Sequence, residues 1–105
     1  MDGRVFSVTV VAVDEEVLVT CSGELDMVGA DRFRIAFEEA LNQQPRRIHL
    51  DCSTVTFVDS IGVKALLRAS RTCIARLIAL TLTASEPMRR LFDTIGMASQ
   101  FTYAP

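Results

Sequence analysis

The apolar positions of the chain follow two periods, one typical of strands and one typical of helices. Residues 5–13 (VFSVTVVAV) and 17–21 (VLVTC) are rich in β-branched residues and flank an acidic interruption, which predicts a hairpin. From Phe33 to Leu41 the apolar residues recur at helical spacing, which predicts an amphipathic helix that ends before Pro45. The sequence therefore begins with two predicted strands and a helix.

The middle of the chain repeats the order of strand and helix. Residues 47–52 (RIHLDC) alternate between apolar and polar, which predicts a strand. From Val63 to Ile74 the apolar residues form a helical stripe, which predicts a second helix. Residues 77–84 (LIALTLTA) are nearly all apolar or threonine, as expected of a strand that is covered on both faces.

The last segment carries start and stop signals of a third helix. Ser85 is a suitable N-cap, Pro87 suits the first turn, and Gly96 closes the apolar stripe. Residues 101–103 are expected to form either a short edge strand or a docked tail. The order β-β-α-β-α-β-α with short connections predicts an α/β fold with three to four helices, in which a largely parallel sheet carries an antiparallel first strand at its edge.

Composition narrows the class of protein. Of 105 residues, half are apolar and 23% are charged, which is typical of one globular domain, expected over residues 1–105. A formal net charge of -2 does not favour binding to nucleic acid or to an anionic membrane. The N-terminus lacks the apolar segment of a signal peptide, and no apolar run reaches membrane-spanning length. We expect a cytoplasmic protein.

Cysteine and histidine give no metal-binding pattern. The three cysteines form no CxxC pair and lie in apolar stretches, so we expect them to be reduced core residues. His49 is the only histidine, and no carboxylates stand at a recognisable zinc-ligand spacing around it. The sequence indicates no metal and no cofactor.

Polar residues follow two of the predicted strands. Since parallel strands end at the same edge of a sheet, we expect Glu24 and Asp26 to share a surface with Asp59 and Ser60. We expect Ser60 to cap the second helix. Gly62 needs its own explanation because glycine weakens a helix, and either close packing on a strand or the approach of another chain would account for it.

The sequence gives less support to a catalytic triad, a nucleotide-binding loop or a nucleic-acid-binding surface. A Ser-His-Asp site would need His49, which lies in mid-strand with no nucleophile turn near Ser60, so a structural or surface histidine is expected. No Walker-type phosphate loop is present. The basic stripe of Lys64, Arg68 and Arg71 either lies in solvent or meets an acidic partner.

With these motifs in place, the chain resembles a STAS domain of the bacterial anti-sigma-factor antagonist family along almost its whole length. Residues 23–26 (GELD) are similar to the family's turn before the first helix. Residues 50–63 (LDCSTVTFVDSIGV) are similar to its more specific Asp-x-Ser-x-Val-x-Phe-x-Asp-Ser-Ser/Thr-Gly-Leu pattern. Gly96 and Met97 resemble its closing segment.

The resemblance implies a binding module in partner switching and not an enzyme. Family members bind an anti-sigma factor, often a serine kinase, and release a sigma factor for transcription, for example in stress signalling. The partner-binding residues would be those shared by the motifs and the start of the second helix: Glu24, Asp26, Asp59, Ser60, Ile61, Gly62 and Lys64. We expect a monomer or a weak dimer.

The resemblance also shows a departure from the family. The family's phosphoacceptor directly precedes the motif glycine, and Ile61, which has no hydroxyl, occupies that position. Phosphorylation of the neighbouring Ser60 is an alternative, and Ile61 is expected to serve as an apolar contact. Two other functions stay open: a scaffold subunit in a stress-signalling assembly, and a module that binds a nucleotide or another small ligand.

Overall fold

The computed structural model describes residues 5–105; the first four residues, which belong to the N-terminus searched for a signal peptide, lie outside them. Within that range the predicted order of elements is confirmed. The elements are β1 (Ser7–Val13), β2 (Glu16–Leu25), α1 (Met27–Asn42), β3 (Arg47–Val58), α2 (Ser60–Ala75), β4 (Ala79–Ala84), α3 (Glu86–Ile95) and a short 3-10 helix (Ala98–Gln100).

The sheet has the predicted mixed topology. Its strand order is β1-β2-β3-β4, with β1 antiparallel to β2 and the other neighbours parallel. Both crossovers step in the same direction across the sheet, and right-handed crossovers then place α1 and α2 on the same face. The predicted α/β fold is therefore confirmed.

The hydrophobic core lies on that helix-bearing face. Alternate residues of β2, among them Val17, Val19 and Cys21, are buried, and one continuous cluster joins them to the buried sides of α1 and α2. Met88 and Phe92 bring α3 into the same cluster. A single core thus holds all the layers together.

The opposite face of the sheet, called here the open face, has no comparable cover from residues 5–105. Leu18 is exposed there, and its register neighbours His49 and Thr81 are half-buried. The expectation that β4 is covered on both faces is therefore wrong. Its threonines lie on the open face, where Thr81 and Thr83 contact the His49 ring.

Two strand ends differ from the prediction. We expected β2 and β3 to end at Cys21 and Cys52, but they continue to Leu25 and Val58. The register between them shifts twice, between Thr20 and Ser22 and between Gly23 and Glu24. At both shifts the extra residue lies on β3, so the alternation of its side chains breaks after Cys52, whereas β2 keeps its alternation through Leu25. Pairing continues in both strands, so the segments that we had interpreted as loops are strand ends.

The last helix follows its sequence signals closely. Ser85 caps α3, where its hydroxyl oxygen accepts a hydrogen bond from Met88 N at 3.3 Å. Gly96 ends the helix in the left-handed conformation at φ 72°. Beyond it, Tyr103 forms one isolated bridge with Leu82, so the tail docks on β4 without forming a strand of its own.

The three cysteines are buried and free, as predicted for reduced core residues. A hydrogen bond to the Cys21 thiol, together with burial, raises the pKa of Cys52 well above its ordinary value. Burial raises the pKa of Cys73 from 9.0 to about 11. The thiols of Cys52 and Cys73 therefore stay protonated at neutral pH.

The raised thiol pKa predicts a loss of stability in alkali. Between pH 9 and about 11 the unfolded Cys73 thiol loses its proton while the folded one keeps it, so the free energy of unfolding should fall across this window. Urea unfolding at several pH values measures this fall. The Cys73→Ala protein, measured over the same pH range, should lose less stability than the wild type. An equal loss in both proteins would mean that the Cys73 thiol is not its cause.

Candidate functional site

The two parallel strand-to-helix junctions share one sequence pattern and one geometry. Residues 26–29 (DMVG) follow β2, and residues 59–62 (DSIG) follow β3. Asp26 Oδ1 accepts a hydrogen bond from Gly29 N at 2.9 Å, and Asp59 Oδ1 accepts one from Gly62 N at the same distance. Each aspartate therefore caps its helix by satisfying a first-turn N–H group.

The cap of α2 corrects the sequence interpretation. We expected Ser60 to be the N-cap, but Asp59 holds that position in an extended conformation, and Ser60 is the first residue of the helix. Aspartate and serine are about equally good caps, so the sequence did not distinguish between them. The Ser60 side chain is exposed. It lies on the surface and does not hold the helix start.

Close packing explains both junction glycines. A Cβ atom on Gly62 would lie well inside van der Waals contact with the carbonyl oxygen of Leu25, at the end of β2. A Cβ atom on Gly29 would lie 2.5 Å from the carbonyl oxygen of Glu24. Of the two explanations offered for Gly62, the structure shows the packing of a helix on a strand. Gly62 is buried and positions its neighbours.

The structure brings most of the proposed site residues together. Leu25 and Val58, the last residues of β2 and β3, are register partners, so the junctions that follow them lie side by side. We call the resulting region the helix-start surface; it consists of Asp26, Met27, Val28, Asp59, Ser60, Ile61 and Lys64. Glu24 is separated from it, because it pairs in register with Phe57 on the open face.

Two residues of this surface were missed by the sequence analysis. Met27 and Val28 are 66% and 58% exposed, and Ile61 on the neighbouring helix is 42% exposed. All three line one cleft between α1 and α2. The repeated Asp-x-x-Gly pattern would have indicated them, because Val28 has the same position after its cap as Ile61 has after Asp59.

The cleft between α1 and α2 has a volume of about 850 Å³ and a mixed lining. Besides the apolar residues, its lining includes Lys64, Arg68 and Arg76 on the α2 side and Asp31, Arg32, Arg34 and Glu38 on the α1 side. Arg71, the third member of the predicted basic stripe, does not. Lys64 and Arg68 of the stripe therefore face α1 across the cleft. Both predicted environments, solvent and an acidic partner, stay open for them.

His49 takes no part in this surface. Its Nδ1 lies 2.7 Å from Thr81 Oγ1, and its Nε2 lies 3.0 Å from Thr83 Oγ1, so both ring nitrogens have partners on the open face. Nine residue steps of extended strand, roughly 30 Å, separate it from Val58 at the other end of β3. The arrangement does not form a Ser-His-Asp site.

Asp51 is likewise engaged locally. A hydrogen bond from the Ser53 hydroxyl, at 2.7 Å, keeps the pKa of the Asp51 carboxyl below its ordinary value. Over residues 5–105, no three histidine, cysteine or acidic side chains are grouped closely enough to hold a metal ion. In the same range no helix is long and apolar enough to cross a membrane.

The model of the family "Mlab, STAS domain" matches residues 8–102. This range contains all three α-helices and all four strands, apart from the first residue of β1. The chain belongs to the STAS domain family. No curated protein matches its sequence significantly.

Solved structures agree with this assignment. An anti-sigma factor antagonist from Mycobacterium paratuberculosis is 26% identical, with a TM-score of 0.84 over 99% of this STAS domain and 89% of that chain. The Bacillus cell fate determinant SpoIIAA in its phosphorylated form is 25% identical, with a TM-score of 0.70 over 96% and 92%. The resemblance to anti-sigma factor antagonists is thus confirmed.

A more distant structure shows the same fold in another setting. The murine anion transporter Slc26a9 is 20% identical, with a TM-score of 0.74 over 89% of this STAS domain but only 16% of the transporter chain. This likeness shows the fold alone. The fold by itself therefore assigns no role to this STAS domain.

The corrected cap predicts the effect of two neighbouring substitutions. Asp59→Ala should lower the free energy of unfolding by about 1 kcal/mol, because Gly62 N loses its acceptor. Ser60→Ala, at the exposed first residue of α2, should change it by less than about 0.5 kcal/mol. Urea unfolding of both proteins measures this difference, and the reverse ranking would make Ser60 the cap.

Proposed function

We propose that this STAS domain is an anti-sigma factor antagonist that binds an anti-sigma factor through the helix-start surface and so frees a sigma factor for transcription. The observation that carries the proposal is the exposed apolar group of Met27, Val28 and Ile61 around two capped helix starts. The likeness to an anti-sigma factor antagonist at 26% identity supports it.

The composition of the surface suits a protein partner. Interfaces typically have an apolar centre with a polar rim, and the three apolar side chains have Asp26, Ser60 and Lys64 around them. Full burial of an exposed isoleucine contributes about 1.5–3 kcal/mol, and the 42% of Ile61 that is still exposed is available for part of that gain. Because both helix starts are fixed by their caps and by the packing of Gly29 and Gly62, the surface is held in place before a partner arrives.

The mode of control differs from that implied by the family. Ile61 occupies the position of the family's phosphoacceptor, so no phosphate can be added there. Antagonism would then be constitutive or set by the supply of the protein. Ser60 has an exposed side chain at the start of α2, where the helix tolerates negative charge, so its phosphorylation is a second route to control.

The proposal includes the broader assignments made from the sequence. The chain acts as a single non-enzymatic domain in the bacterial cytoplasm. Its partner is an anti-sigma factor, and serine kinases are among the candidate anti-sigma factors. Glu24, placed beside Phe57 at the same end of the sheet, would contact only a partner large enough to reach around that end.

The proposal predicts that Ile61 is an anchor of the complex. Ile61→Asp should reduce the affinity for the anti-sigma factor by at least about tenfold, because a charge replaces an apolar contact. The matched control is Ile74→Asp on the same helix, whose side chain is 70% exposed and outside the cleft, and which should bind like the wild type. Ser60→Asp should stay folded and also bind less well.

A pull-down with tagged proteins from a host lysate, followed by mass spectrometry, identifies the partner. Titration of the purified partner then measures the affinity of each variant. Wild type and Ile74→Asp should recover the same anti-sigma factor, and Ile61→Asp should recover little of it. Failure of the wild type to recover any anti-sigma factor would overturn the proposal. Unchanged affinity of Ser60→Asp would place Ser60 outside the interface.

The cleft itself supports a second function, the binding of a nucleotide or another small anionic ligand. Lys64, Arg68 and Arg76 offer three cations on the α2 side of the cleft. Its α1 side adds Arg32 together with Arg34, which is paired with the carboxylates of Asp31 and Glu38. A thermal-shift series with nucleotides tests this, since a ligand that prefers the folded state raises the melting temperature. Loss of that shift in Arg68→Ala would assign the ligand to the cleft, and no shift with wild type would exclude the nucleotides tested.

A further inference from the structure

The two edges of the sheet are not equivalent. At one edge, β4 is met by the C-terminal tail, where Leu82 N donates to Thr102 O at 2.9 Å and Ala104 N donates to Leu82 O at 3.0 Å. At the other edge lies β1, and no described strand pairs with its outer side. β1 therefore presents an open edge within residues 5–105.

This edge lacks the features that usually prevent strands from pairing. Residues Ser7–Val13 (SVTVVAV) contain no charge and no proline, and their register with β2 runs through seven consecutive pairs without a bulge. Natural proteins protect exposed edges with lysine, proline, bulges or very short strands. The edge of β1 is instead a regular template for another strand.

A contact of Arg32 shows which backbone groups point outward. Its Nη1 donates to the carbonyl oxygen of Phe6 at 2.9 Å, so the carbonyl directly before β1 is turned to α1 and away from β2. In an antiparallel pair, alternate residues direct their N–H and C=O groups to the same side. Val8, Val10 and Ala12 therefore direct theirs to the open edge.

We propose that a second copy of this chain pairs its β1 antiparallel with this edge, about a two-fold axis at Val10. This register overlaps all seven residues and places Thr9 of one copy opposite Val11 of the other. The result is one continuous sheet of eight strands, with the helices of both copies on the same face.

The charges at the two ends of β1 favour a copy of the same chain. Arg32 lies at the start of the strand, and the acidic turn of Asp14 and Glu15 lies at its end. Antiparallel pairing brings the start of each β1 beside the end of the other, so Arg32 of each copy meets Asp14 of its neighbour. A two-fold axis makes both contacts at once.

The interface is narrow, since it consists of one strand edge from each copy. It falls below the roughly 1,200 Å² of a standard protein interface, so the dimer should dissociate on dilution. It uses no residue of the helix-start surface. Dimerisation and the binding of an anti-sigma factor can therefore succeed or fail separately.

A cross-linking experiment tests the register. Thr9→Cys and Val11→Cys proteins are oxidised separately and as an equal mixture, at a concentration where the wild type self-associates. Opposite residues have Cβ atoms within disulfide reach, whereas diagonal neighbours do not, so the mixture should give at least about fivefold more covalent dimer than either protein alone. The native cysteines are buried and add little background.

Sedimentation equilibrium tests the edge itself. The wild type should shift from 11.6 kDa toward twice that mass as its concentration rises from micromolar to millimolar. Thr9→Lys/Val11→Lys places like charges opposite each other and should stay monomeric. The matched control Thr56→Lys/Ser99→Lys, with the same added charge at exposed sites away from β1, should behave like the wild type.

Several results would overturn the proposal. These are a wild type that stays monomeric at millimolar concentration, a mixture that cross-links no better than the separate proteins, or equal self-association of both lysine variants. Circular dichroism checks that the β1 lysine variant is folded. If it is not, the cysteine mixture alone decides, because each of its substitutions is at an exposed position.

Discussion

The carbonyl oxygen of Leu25 sets the closest approach on which the rest of this structure depends. It ends β2 and accepts a hydrogen bond from Asp59 N at 3.4 Å, and α2 can start directly above it only because Gly62 has no side chain. The first turn of α2, the end of β3 and the end of β2 are thereby fixed to one another. In the same way, the close approach of Gly29 to the carbonyl oxygen of Glu24 fixes the start of α1.

This constraint explains why apolar residues occupy exposed positions. A helix that starts against a strand end turns its first and second residues away from the core, where nothing in residues 5–105 covers Val28 or Ile61 fully. The capping aspartates are engaged with their own helices. The part of the surface left for recognition is thus mainly apolar, and its position is determined by backbone contacts beneath it.

The sequence predicted the elements better than their ends. Helix α3 was predicted almost completely, because Ser85 and Gly96 act through local backbone geometry. The end of β3 was missed, since the register shifts break the alternation of its side chains although it continues to pair. The end of β2 was missed although its alternation continues, because residues 22–24 combine polar side chains with a glycine, as loops do. The cap at Asp59 was missed because its neighbour Ser60 is an equally suitable cap, and only the contact between Gly62 and Leu25 places the helix start.

The open face of the sheet also shapes how this chain can change over evolutionary time. Because the core lies on one side of the sheet, residues such as Thr9, Leu18 and Thr20 contribute little buried area that the fold requires. Their substitution is limited mainly by solubility. One layer of strands therefore separates a packed interior from a surface on which new interactions can be selected at little risk to folding.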